Sequence, residues 1–241
     1  MKAAIVTGAS SGIGLATAKA LVATGWTVGV LARRWEALEA IKGGIVLPCD
    51  VADPDAVQRA FDTFVDKAGR LDLLFNNAGI FVPAAPIDEV PLEDWHASIG
   101  VNLNGMFYAA RAAFKQMRAQ EPRGGRIINN GSISAHAPRE GAVCYTTTKH
   151  AISGLTRQIS LDGRPFDIAC GQIDIGNART GILEDIAEAA QAKGEPLPPM
   201  ISPEDAANAV VHMAELPLNA NVQTMTLMAT KMPYEIGRAH V

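Results

Sequence analysis

A phenol and an ammonium stand four positions apart in Tyr145-Thr146-Thr147-Thr148-Lys149. On a helix this spacing puts both side chains on one face. A free phenol titrates near 10, about three units above neutrality, and a nearby cation favours its ionised form. A tyrosine so placed can give a proton to a reacting oxygen or take one away. Such a pair is common on helices and decides little alone. A second feature lies far upstream, in Thr7-Gly8-Ala9-Ser10-Ser11-Gly12-Ile13-Gly14. It follows the apolar run Ala3-Ala4-Ile5-Val6 and precedes a helical pattern over 15–22, so it reads as strand, glycine turn, helix. Glycines let backbone approach a ligand closely, and the free N–H groups of a helix start can hold a phosphate. The spacing is G-x-x-x-G-x-G rather than the usual G-x-G-x-x-G, so an ordinary βα loop is the competing reading. A phosphate cradle and a Tyr/Lys pair in one chain point together to an enzyme.

The elements that must position these residues alternate almost to the end of the chain. Apolar runs at 3–6, 27–31, 44–47, 71–75, 126–129, 168–173 and 224–228 predict strands. Helical patterns fall at 13–24, 37–41, 56–67, 92–117, 144–161 and 203–215. Strands alternating with helices imply βαβ units and a parallel sheet. The expected fold is α/β: a Rossmann-type, doubly wound, seven-stranded parallel sheet of order 3-2-1-4-5-6-7 with helices on both faces. A ligand then sits beyond the carboxyl ends of the strands. One domain is expected over 1–234. Within it, 176–202 is too long for a simple connector and is a candidate substrate lid. The stretch 235–241 has no apolar period and is assigned no function.

Composition narrows the class. The chain has 241 residues, 48% of them hydrophobic, enough to bury a sizeable core. Net charge is −4 with no long basic run, which argues against a nucleic-acid partner. No apolar stretch approaches the roughly 20 residues of a membrane span. The glycine motif begins too early to leave room for a signal peptide. Cys49, Cys144 and Cys170 are odd in number and widely spaced, so they are expected to be reduced thiols of a cytoplasmic protein. Neither they nor the five histidines have metal-ligand spacing, and no metal is expected.

Five motifs in order carry a family resemblance: T-G-x-x-x-G-I-G from Thr7, Asn76-Asn77-Ala78-Gly79, Val101-Asn102-Leu103-Asn104-Gly105, Ser132 ahead of Tyr145-x-x-x-Lys149, and a glycine loop at Gly176. The chain resembles the main group of the short-chain dehydrogenase/reductase superfamily from residue 2 to about 228. The resemblance implies hydride transfer between a nicotinamide and a carbonyl or alcohol of a small-molecule substrate. Tyr145 is then the acid/base and Ser132 a hydrogen-bond partner of the substrate oxygen. Lys149 serves Tyr145 and the nicotinamide ribose, and Asn102 holds a water that links Lys149 to solvent. Asn104 and Ser134 are rivals for these asparagine and serine roles, disfavoured by register and spacing. The resemblance also assigns Gly8, Ser10, Ser11, Gly12, Ile13 and Gly14 to the pyrophosphate. Asp50 and Val51 go to the adenine, although Asp50 could instead cap the following helix. Asn76, Ala78 and Gly79 lie beside the adenosine ribose in a partly structural turn, and Gly176, Ala178 and Thr180 lie on the nicotinamide side. Ala32 stands where NAD-type members carry Asp, and Arg33 and Arg34 follow. They can pair with a 2′-phosphate, which favours NADP (NADPH) over NAD; solvated surface arginines are the alternative.

Departures and rivals follow from the same comparison. Ile175 replaces the proline usual before Gly176, which puts the local backbone shape in doubt. Members of the family assemble through two long helices, so a dimer or homotetramer is expected. The small residues Ala109, Ala110, Ala112, Ala113, Ala151, Ser153 and Gly154 suit such an interface, or equally close packing on the chain's own sheet. A 3-oxoacyl thioester reductase and a polyol or small-ketone dehydrogenase are both compatible. The former wants a basic docking patch, for which Arg111, Lys115, Arg118, Arg123 and Arg126 are candidates. A cofactor-binding regulator on the same fold is the rival outside catalysis.

Overall fold

The computed structural model describes residues 1–180 and 197–234. Their strands are β1 (Ala3–Thr7), β2 (Thr27–Ala32), β3 (Gly44–Pro48), β4 (Leu73–Asn76), β5 (Gly125–Asn130), β6 (Ile168–Ile175) and β7 (Thr224–Leu227). All neighbouring pairs are parallel, in the expected order β3-β2-β1-β4-β5-β6-β7. The helices are α1 (Gly12–Ala23), α2 (Trp35–Glu39), α3 (Pro54–Ala68), α4 (Leu92–Ser98), α5 (Met106–Ala119), α6 (Val143–Gly163) and α7 (Pro203–Glu215). No helix among the described residues is long and apolar enough to cross a membrane.

Interior parallel strands are covered on both faces, so they read as unbroken apolar runs. All five residues of β1 are buried. Strand alternation still sorts them between two cores. Ala4 and Val6 join Val28, Val30, Phe75 and Ile128 against α1 and α7. Ala3 and Ile5 join Leu31, Leu74 and Ile127 against Phe61 and Phe64 of α3 and Met117 of α5. Strand order reverses between β2 and β4 on either side of β1, which opens a crevice above their carboxyl ends.

The pattern over 92–117 predicts one helix, but the structure divides it. Between α4 and α5, residues Ile99–Gly105 form a π-helical turn. Such turns hold wider i→i+5 bonds and occur often at functional sites. Asn102 sits within it, fully buried. Its Oδ1 accepts from Ile80 N at 2.7 Å, and its Nδ2 donates to Ile80 O at 2.9 Å. This double bond pins the widened turn to the chain leaving β4. Gly105 ends it where a Cβ would stand 2.8 Å from Val51 Cγ2, so the helix also rests directly on the segment after β3.

β6 runs two residues further than the apolar run over 168–173. Ile175, in place of proline, registers against Leu227 and is 5% exposed. The missing proline therefore lengthens the strand. Beyond it, Ile201 N donates to Asn177 O and Arg179 N donates to Ile201 O, both at 2.9 Å. The two ends of the 176–202 segment are thus pinned together. The lid expected between them lies largely outside the described residues, as does 235–241.

One member of the expected basic patch is taken into the interior, while Arg111, Lys115, Arg118 and Arg123 remain exposed. Arg126 is 2% exposed. Its Nη1 donates to Asn221 Oδ1 at 3.0 Å, and its Nη2 to the carbonyls of Leu216, Pro217 and Ala220 at 2.9–3.1 Å. Arg123 pairs with Asp167, and Arg118 covers the Phe166 ring. Arg126 therefore ties the start of β5 to the turn between α7 and β7. Removing it strands buried acceptors, each lost bond to a charged donor costing about 1.5–3 kcal/mol. Arg126→Met should lower the unfolding free energy by about 2 kcal/mol or more in urea titration with an unchanged m-value; a midpoint equal to wild type would show the network to be dispensable.

Candidate active site

The cleft begins at the end of β1. Gly8 and Gly12 have φ of 67° and 52°, a region costly for any side chain-bearing residue. Ser11 stands at the N-cap of α1 with no capping bond from its side chain, and no acidic residue occupies the first turn. The starts of α3 and α7 are closed by side chains, whereas those of α2, α4 and α6 have no side-chain cap either. Asp53 accepts from Asp55 N and Ala56 N at the start of α3, and Ser202 with Asp205 forms a capping box on α7. The first N–H groups of α1 are thus left uncapped beside the cleft, where an anion satisfies both the donors and the helix dipole. Ser10, Ser11, Gly12 and Ile13 line this end, with Thr180 opposite. A Cβ on Gly12 would lie 2.9 Å from Thr180 Cγ2, so only glycine leaves the passage open.

At the end of β2, Ala32 is followed by Arg33 and Arg34, both exposed and both on the cleft wall. Arg34 Nη2 donates to Ser10 Oγ at 3.2 Å. Asp50 and Val51 form the next wall. Asp50 accepts from Ala52 N, and the cap of α3 is Asp53, so the capping alternative falls to the later aspartate. These are the residues that would hold a dinucleotide, Asp50 and Val51 its adenosine and the start of α1 its pyrophosphate.

The opposite end holds the reactive set. Tyr145 and Lys149 lie on the first turns of α6, and Ser132 follows β5. Lys149 is 3% exposed, and its Nζ donates to Asn130 O at 2.7 Å. Burial pushes its pKa down to about 8, against Asp174, which raises it. Tyr145 stacks on Phe81 with ring centroids 4.0 Å apart. Burial raises its phenol pKa, while a hydrogen bond with Ser132 and the charge of Arg139 oppose the rise. The countering charge is thus Arg139, where the sequence pattern pointed to Lys149.

Behind Ser132 lies Asp174, fully buried near the end of β6. It accepts from Ser132 N at 3.0 Å, Gln172 Nε2 at 2.6 Å and His136 Nε2 at 2.7 Å. An ionised carboxylate is an acceptor only, so His136 presents its Nε2–H here. This carboxylate fixes the backbone that aims Ser132.

Most expected site residues meet in this one cleft: Gly8 and its neighbours to Ile13, the two arginines, Asp50 and Val51, Ala78 and Gly79, Ser132, Tyr145, Lys149, Gly176, Ala178 and Thr180. Three do not line it. Gly14 packs against Gly8, where a Cβ would collide with the Gly8 carbonyl. Asn76 is 1% exposed and donates to Met106 O and Asn129 Oδ1, so the cleft-facing asparagine of its motif is Asn77. Asn102 spends its side chain on Ile80 and Ser98. Among the rivals, Ser134 is buried and donates its N–H to Ser132 Oγ, and Asn104 is exposed. Arg139, Asp174, Phe81, Asn77 and Asn130 went unassigned. A charge inside an apolar strand run, Ile173-Asp174-Ile175, was a usable signal, because buried carboxylates are almost always paired.

The lysine offers a stability test. Its pKa falls from 10.5 to about 8 on folding, so between those values the unfolded chain holds a proton that the folded chain lacks. Stability from this group therefore rises with pH across that window. The unfolding free energy of Lys149→Met minus wild type should be more positive at about pH 7 than at about pH 10. A difference independent of pH in chemical denaturation would show that folding leaves the lysine unperturbed.

Comparison with known proteins agrees with this geometry. The profile of the family described as short chain dehydrogenase matches residues 2–191. A 3beta-hydroxysteroid dehydrogenase of Mediterraneibacter gnavus is 36% identical over 191 residues, covering 76% of this chain and 68% of the relative. A 3-oxoacyl-(acyl-carrier-protein) reductase of Synechocystis is 33% identical over 232 residues, covering 92% and 93%. The solved closed form of a serine dehydrogenase complexed with NADP+ superposes with a TM-score of 0.84 at 25% identity, covering 93% of this chain and 94% of the other. A profile match over most of the chain, with relatives above 30% identity, establishes that the protein belongs to the short-chain dehydrogenase/reductase family, oxidoreductases acting on CH–OH and carbonyl groups.

Proposed function

We propose that the protein transfers hydride between NADP(H) and a carbonyl or secondary alcohol of a small molecule, with Tyr145 as the acid/base. The observation that carries this reading is the shared cleft: an uncapped helix N-terminus and two arginines at one end, and Ser132, Tyr145 and Lys149 at the other. A bound nicotinamide supplies the hydride. Charge growing on the substrate oxygen is relieved by a donor aimed at it, and Tyr145 is that donor in reduction. Burial keeps its proton on the phenol until then. In oxidation the phenol must ionise, helped by the Ser132 hydroxyl and the Arg139 charge. Lys149, poised near 8, holds an exchangeable proton at Nζ beside the Tyr145 ring, 5.3 Å from its centroid. Because the Asn102 side chain is committed to Ile80, any water link from Lys149 to solvent falls to the main chain of the π-helical turn.

NADP is favoured over NAD because no carboxylate follows β2 and Arg33 faces the cleft there. The NADP+ bound to the serine dehydrogenase is consistent with that preference. Relatives include both the steroid dehydrogenase and the carrier-protein reductase, and the exposed Arg111, Lys115 and Arg118 of α5 leave the thioester reductase as the second reading. Cys49, Cys144 and Cys170 are free and buried, which fits a cytoplasmic setting. For assembly, the four alanines of α5 are buried in the chain's own core. A dimer or tetramer would instead be joined through exposed positions such as Phe107, Leu161 and Gly154 on α5 and α6.

Three measurements test the reading. NADPH should bind at least about tenfold tighter than NADH by calorimetry, since a bond to a charged group is worth roughly 1.5–3 kcal/mol, and Arg33→Ala should narrow the gap by weakening NADPH. Equal affinities would remove the assignment. Tyr145→Phe deletes one hydroxyl and should cut turnover about 10²–10⁴-fold while nearly keeping NADPH affinity; wild-type turnover would end the proposed mechanism. Light scattering at micromolar concentration should give a dimer or tetramer, and a monomer would refute the assembly.

A further inference from the structure

Between Ser132 and α6 the chain passes through a short 3-10 turn, Ile133–Ala135, and then Arg139. Arg139 lines the reactive end of the cleft with Ser132, Tyr145, Phe81 and Asn177. Its positive charge opposes the burial-driven rise of the Tyr145 phenol pKa. Its Nη2 donates to Asn177 Oδ1 at 2.8 Å. Its Nε is buried and has no hydrogen-bond partner among the described residues. No carboxylate among the described residues forms an ion pair with it.

That state is costly. A guanidinium does not lose its proton in proteins, so burial cannot be relieved by neutralisation. A buried donor without a partner costs free energy, and a buried cation without a counter-charge costs more. Arg126, almost fully buried, spends its Nη atoms on four acceptors although its Nε, like that of Arg139, has none. Arg139 has a single acceptor among the described residues, Asn177 Oδ1, and lines the cleft. A guanidinium on a cleft wall with one donor engaged by the protein can bind a planar oxyanion through two parallel bonds.

We propose that Arg139 binds an oxyanion carried by the substrate, so that the preferred substrates are short oxo or hydroxy acids rather than neutral ketones, polyols or sterols. This deepens the oxidoreductase reading and rests on it. A carboxylate and a sulfonate share the chemistry required. With the anion on Arg139 and the reacting oxygen between Ser132 and Tyr145, the two groups of the substrate lie a few bonds apart. The interaction is a specificity determinant and orients the reacting carbon.

The test titrates the protein by calorimetry, with and without NADP+, using 3-hydroxybutyrate, 3-hydroxypropanesulfonate and the neutral methyl ester of 3-hydroxybutyrate. Turnover of the same compounds and of neutral alcohols is measured in parallel. The expected result is at least about tenfold preference for an anion over the ester in affinity or kcat/KM. Arg139→Gln should collapse that ratio by about 10–100-fold, with Arg139→Lys intermediate because it keeps charge without the fork. Which anion binds better separates a carboxylate from a sulfonate site. Equal handling of anion and ester by the wild type overturns the proposal, and this needs no variant to fold. An anion preference that survives in Arg139→Gln overturns it too. Failure of NADP+ to bind, or absence of turnover with every alcohol, strikes the parent reading, while anion binding to the cofactor-free protein still decides the role of Arg139.

Discussion

One chain of side-chain hydrogen bonds holds the two ends of the cleft in register. Thr7 Oγ1 accepts from Asn77 N and Ala78 N at the ends of β1 and β4. Asn77 Nδ2 returns a bond to Thr7 O, and Asn77 Oδ1 accepts from Asn130 Nδ2 at the end of β5. Asn130 O then accepts from Lys149 Nζ. Three neighbouring strand ends and the first turns of α6 are thereby tied to the residue that precedes the glycine turn. Hydride and proton transfer need their groups placed to within fractions of an ångström. A shift of β4 against β1 would move Lys149 relative to α1, and this relay of partly buried amides resists it. The local low dielectric strengthens each bond and penalises any that is left unmade.

The site collects positive potential that the fold leaves unbalanced. The N–H groups of α1 have no cap, Lys149 is buried on a carbonyl, and Arg139 keeps an idle donor. Asp174 is the one fully buried carboxylate nearby, and its bonds go to the Ser132 backbone, Gln172 and His136. An anionic dinucleotide and an anionic substrate would each relieve part of this strain.

The π-helical turn shows how a catalytic motif can act through architecture. Asn102 looks like a member of the reactive set because of its motif. In the fold it grips both polar groups of Ile80 and so holds the 77–81 segment as the cleft wall, including Phe81 beneath Tyr145. The ring stacking sets the plane of the phenol. A side chain two elements away thus governs the orientation of Tyr145, the proposed acid/base, without touching it.

The sequence by itself determined the strand–helix alternation of a parallel sheet, the glycine turn, the absence of an acid after β2, and the shared face of Tyr145 and Lys149. All of these rest on local signals: apolar runs of strand length, glycines where φ must be positive, and a four-residue helical period. Only the tertiary structure decided which asparagine of Asn76-Asn77 faces the cleft, because strand alternation is fixed by contacts with Thr7, about 70 residues away in sequence. It also buried Arg126, whose partners lie 90 to 95 residues further along the chain. It placed Asp174 behind Ser132 and Arg139 beside Tyr145, neither of which carries a local pattern. Charges are placed by what surrounds them, and what surrounds them in this fold comes from strands distant in sequence and adjacent in the sheet.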